Sequence, residues 1–82
     1  MPRYFFHFEN DQRKLEDLIG TDLGNDQAAK AQALKLAADL AIEDAITGDP
    51  PRFDWLEVVD QDNCIVARLP IARAIREPNR IA

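Results

Sequence analysis

The stretch from Asp26 to about Thr47 limits this fold more than any other part of the chain. It is rich in Ala and Leu, both strong helix formers. Asn25 suits the N-cap, and Asp26 sits favourably in the positive first turn. Gly48 fits the position just past the helix, and Pro50-Pro51 forbids continuation. Ala29, Ala33, Leu34, Leu36, Ala37, Leu40, Ala41 and Ala45 recur at three and four, forming one broad apolar stripe. Gln32, Lys35, Asp39 and Glu43 occupy the other side. Small alanines in such a stripe let a helix sit close upon a sheet. Only 82 residues are present, enough for one core and not two.

The flanking segments read as strands. In Arg3 to Glu9, Tyr4, Phe6 and Phe8 share one face by the period of two, and Arg3, Phe5, His7 and Glu9 share the other. Asn10 to Arg13 supplies turn chemistry. A weaker strand is expected across Leu15 to Leu23, interrupted and bulged at Gly20, with the character of an edge. Phe53 to Asp60 and Cys64 to Ile71 form a hairpin around Gln61-Asp62-Asn63. A two-residue turn at Asp62-Asn63 sets Glu57 opposite Arg68 and Val59 opposite Val66. Leu56, Val58, Ile65, Ala67 and Leu69 then gather on the other face. Pro70 ends the last strand or puts it at an edge. The expected class is α+β: a small antiparallel sheet of about four strands, in the order β-β-α-β-β, with one long helix on one face. Residues 1–71 make the domain and 72–82 a tail, in which Ile71, Ala74 and Ile75 have the spacing of a short helical turn.

Charge narrows the partners. Asp and Glu number 15 against 10 Lys and Arg, a net charge of −5, which argues against nucleic-acid binding. Arg68, Arg73, Arg76 and Arg80 give the last residues a basic bias, most simply a solvated tail. No run approaches the roughly 18 apolar residues of a membrane span, and residues 1–8 do not read as a signal peptide. A cytoplasmic location is the expectation. The single cysteine, Cys64, excludes an intrachain disulfide and reads as a small, semi-buried residue.

Chemistry-bearing residues are sparse. His7 is the lone histidine; Glu9 points the same way, and a paired strand brings Asp17 near. His7, Glu9 and Asp17 are therefore the candidate metal ligands. The same residues describe a surface histidine among acids, which is the more common situation, and neither a metal nor a cofactor is expected. Glu16-Asp17, Glu43-Asp44 and Asp60 with Asp62 are paired carboxylates, but acid–base work needs a cleft that one helix over a small sheet does not offer. Asp44 is expected to escape burial at the helix end. No catalytic set emerges, and an enzyme is not expected.

A single helix covers only one side of a sheet. The other side carries Phe5, His7, Trp55, Val59 and Val66, an apolar patch of the kind that marks contact with another chain. The expected role is a small protein-interaction module, self-associating as a homodimer through this face or an edge strand, or binding another protein. Alternatives are an antitoxin-like or regulatory domain binding a basic partner, or a small-ligand or metal site around His7.

Four segments carry a family resemblance: Met1-Pro2-Arg3-Tyr4-Phe5-Phe6-His7, Gly20-Thr21-Asp22-Leu23, the helix from Ala28 to Leu34, and Leu56 to Asn63. Together they resemble a family of short bacterial domains of unknown function whose members commonly begin M-P-R-Y-F-F-H. The likeness spans roughly residues 1–71. The chain departs from the family pattern at Asn63, which replaces a turn glycine, and at Gly24-Asn25, where Pro-Asp is usual. The resemblance implies the fold and a bacterial, cytoplasmic setting, and it carries over no activity and no catalytic residue. In element order alone the chain is also similar to the half-ribonuclease-H-like domains of HicB-type antitoxins, which says nothing of function.

Overall fold

The computed structural model describes residues 1–48 and 52–71. It is α+β. Strand β1 (Arg3–Glu9) is followed by two short strands, β2 (Lys14–Leu15) and β3 (Thr21–Asp22). Helix α1 (Asp26–Thr47) leads to the hairpin of β4 (Trp55–Asp60) and β5 (Ile65–Pro70). The sheet is antiparallel and runs β2-β1-β4-β5, with β3 also on β1. Because β4 lines one edge of β1 from Tyr4 to Glu9, β2 and β3 share the other edge. The expected single strand from Leu15 to Leu23 is thus two fragments of two residues each, with Glu16 to Gly20 looped out between them. None of the described helices is long and apolar enough to cross a membrane. The expected tail turn lies outside the described residues.

The helix forms where its signals lie. Asn25 Oδ1 accepts the Ala28 N–H at 2.9 Å, and Gly48, in the left-handed region at φ 77°, returns its N–H to the Asp44 carbonyl. The Tyr4 hydroxyl donates to Asp26 Oδ1 at 2.7 Å, tying the first turn to β1. Ala29, Ala33, Ala37 and Ala41 are buried in one line, and a larger side chain there would push the helix off the sheet. They meet Tyr4, Phe6, Leu56, Val58, Phe53 and Ile71. Leu56 and Val58 are fully buried, each contributing about 1.5–3 kcal/mol by the usual transfer scale.

Three expectations change here. Leu34 and Ala45, assigned to the buried stripe, are exposed, because the line of contact follows the four-residue row of alanines and leaves their flank outside. Asp44 is buried rather than free: Arg52, just before β4, reaches back so that its Nε lies 3.3 Å from Asp44 Oδ1. The hairpin turn holds three residues, not two. Asn63 N–H closes a turn onto the Asp60 carbonyl, Asn63 adopts φ 64°, and Asp60 Oδ1 accepts from Asp62 N–H and Cys64 N–H. That turn pairs Val59 with Ile65, not with Val66. A bulge between Val58 and Val59 then restores the expected pairs, Val58 with Ala67 and Glu57 with Arg68. Ile65 consequently faces away from the helix and is exposed, while Val66 packs against the helix-side core. Cys64, in this turn, is exposed.

Candidate functional site: the looped-out edge of β1

Where β2 breaks off, a carboxylate does the work of a strand. Asp17 Oδ2 accepts the Phe6 N–H at 3.2 Å, an amide that a continuous β2–β3 strand would otherwise bond. Asp17 Oδ1 accepts Ile19 N–H and Gly20 N–H, each at 3.0 Å. The Asp17 N–H donates to His7 Nδ1 at 3.0 Å, so the neutral ring carries its proton on Nε2. Burial pushes the Asp17 carboxyl up, but the Gly20, Phe6 and Ile19 amides outweigh it and hold it below its ordinary value. On the far side of the loop, Arg3 Nη1 donates to the Ile19 carbonyl at 3.0 Å and its Nε bonds Asp22 at 2.9 Å. The Arg3 hydrogen bond holds the Asp22 carboxyl below its ordinary range. Gly20 closes the loop at φ 81°, pressed against Arg3 and the Phe5 ring.

With its polar groups pinned inward, the loop turns its apolar residues out. Leu15, Leu18 and Ile19 are 56%, 84% and 78% exposed. They border a groove of about 590 Å³ whose other walls are Phe6 and Phe8 of β1 and Gln32 and Leu36 of α1. Its charged lining, Glu16 and Asp17, is wholly acidic.

The residues expected on the far sheet face lie elsewhere or are covered. His7 and Val59 are buried, and Phe5 and Trp55 are half-buried. The Arg68 guanidinium lies 4.2 Å from the Trp55 ring centre, and its Nε bonds Glu9 at 3.1 Å. Lys14 reaches Glu57 at 3.4 Å. Polar side chains therefore roof that face, and among the described residues Ile65 is the large exposed hydrophobic residue on it. The structure brings His7 and Asp17 together, but through the Asp17 backbone, with the carboxylate committed to amides and Glu9 committed to Arg68. Among the described residues no three His, Cys, Asp or Glu side chains are grouped to hold a metal ion. The sequence pattern does not mark Leu15, Leu18 and Ile19 as a surface. The signal available was Leu18-Ile19 between an aspartate and a glycine, where a strand pairs poorly.

A family model described as a domain of unknown function, DUF6894, matches residues 3–72. The chain belongs to this family. The match spans every element of the DUF6894 fold described above, including the Asp17 loop and both sides of the groove. No curated protein and no solved structure matches the chain.

Proposed function

We propose that this DUF6894 domain is a small protein-interaction module that docks a partner in the groove beside the Asp17 loop. The observation that carries this reading is the exposure of Leu15, Leu18 and Ile19 around one concavity. A loop free to collapse would fold such residues inward. This one is held open by Asp17 and Arg3, whose hydrogen bonds fix its backbone before any partner arrives. The sheet face supports the reading less well, since ion pairs cover its aromatic residues. A free, exposed Cys64 favours a reducing compartment, the cytoplasm, as the setting.

The test is capture from a lysate of the source cells on immobilised wild-type domain and on Leu18→Glu, a substitution at an exposed site. Polypeptides, this chain included, retained by the wild type and lost by the variant are expected. Identical sets on both would refute the groove.

A further inference from the structure

His7 Nδ1 accepts the Asp17 N–H at 3.0 Å, and the lone pair it uses is also the one place where the neutral ring can take a second proton. The two uses exclude each other. A charged imidazole carries N–H on both nitrogens and would set a donor against a donor. Turning the ring over offers no escape, since a ring carbon would then face the amide. This bond ties β1 to the loop of Glu16 to Gly20, whose Leu18 and Ile19 wall the groove. Phe6 and Phe8, which line the groove, alternate with His7 along β1, so the ring lies on the other side of the sheet from anything docked there.

We propose that His7 is a proton-operated tie on the groove wall: protonation of its ring releases the Asp17 backbone and loosens Leu18 and Ile19. This rests on the groove being a docking site and adds its regulation. A histidine ring ordinarily changes charge between about pH 5 and 8, so the tie holds at the alkaline end and fails at the acid end. Opening frees the lone pair for one proton, so the ratio of open to closed loop rises about tenfold for each unit of pH below the midpoint of the freed ring. The charged groups around the ring are Asp17 in the loop, Glu9 beside it on β1 and Glu57 opposite it on β4. Lys14 of β2 and Arg68 of β5 bond those two glutamates, and Arg3, farther along β1, is engaged by Asp22 and the Ile19 carbonyl. The Asp17 carboxyl, held below its ordinary 3.8, stays charged through this range and keeps its amides. The loop therefore opens at its His7 tie without the domain unfolding.

Nitrogen-resolved NMR of the pure chain reads ring and loop together. At the alkaline end the ring proton should sit on Nε2, and on acidification the Asp17 and Leu18 amides should shift and lose protection in step with the ring. His7→Asn sets a carbonyl oxygen near the place of Nδ1 and does not titrate, so its loop should stay closed from about pH 8 to 5. His7→Leu has nearly the same outline without the acceptor, and its Asp17 amide should resemble the acid wild type at every pH. Asp17 protection that is unchanged while the ring titrates overturns the inference, and so does an equal acid response in His7→Asn, which would assign the effect to the surrounding carboxylates. Should a variant lose the native Trp55 fluorescence, the wild-type titration alone decides. Lysate capture that depends on Leu18 should weaken on acidification for the wild type and not for His7→Asn. An unmoved loop leaves groove docking standing if capture at the alkaline end still depends on Leu18, whereas loss of that dependence overturns the docking reading and leaves the loop result intact.

Discussion

Replacing Asp17 with Ala removes the acceptor for three backbone amides at once, those of Phe6, Ile19 and Gly20. A hydrogen bond to a charged group contributes about 1.5–3 kcal/mol, and a buried donor left without a partner costs about 1–3 kcal/mol. The Phe6 amide is part-buried in the central strand and bears most of that loss, whereas water can replace the carboxylate at Ile19 and Gly20. The summed cost is then about 2–4 kcal/mol. A domain of 82 residues has a total stability of about 4–12 kcal/mol, so the variant should be visibly fragile. Trp55, the only tryptophan, reports urea unfolding by fluorescence, and the midpoint should fall with the slope unchanged. Amide exchange should quicken at Phe6 before it quickens in β4. A change below about 0.5 kcal/mol would show that the loop does not depend on Asp17. Acidity gives a second reading with a definite sign. The folded state holds the Asp17 proton less tightly than the unfolded chain, whose ordinary value is 3.8. The stabilisation is complete above that value and is lost as pH falls through the lower folded one. Asp17→Asn should therefore flatten the acid limb of the stability curve.

Tyr4 is the only tyrosine, so phenolate absorbance titrates it alone. The hydrogen bond to Asp26, burial, and the charges of Asp26 and Asp60 push its hydroxyl up to about 12. The stability it adds is intact below the ordinary 10.0 and lost as pH rises through the folded value, and Asp26→Asn should move the titration down. Gly20→Ala should cost about 2 kcal/mol, because a Cβ would stand 2.8 Å from Arg3 Cγ and the Phe5 ring on a backbone at φ 81°. Adding Arg3→Ala should recover part of that cost, and thermal unfolding measures both. Asn63→Val should cost about 1–2 kcal/mol at φ 64°, whereas Asn63→Gly stays within about 0.5 kcal/mol. Equal stability of the two would refute the left-handed requirement of the turn.

The sequence by itself determined what depends on near neighbours. Asn25 and Gly48 bound the helix because capping bonds span only a few residues, and both caps formed where expected. The alternation of Tyr4, Phe6 and Phe8 assigned β1 its faces, and the pairing of Glu57 with Arg68 set most of the hairpin register. Tertiary structure decided what depends on distant groups. The second strand splits because the Asp17 carboxylate meets an amide 11 residues back and its N–H meets His7 10 residues back, encounters with no local signature. The three-residue turn and the bulge between Val58 and Val59 offset each other, so each is invisible to a register argument that sees only their sum. Asp44 is buried because Arg52 returns to it from beyond the helix. The exposed surfaces follow from the same cause: alternation and helical period say which residues share a face, and only packing says which faces are covered.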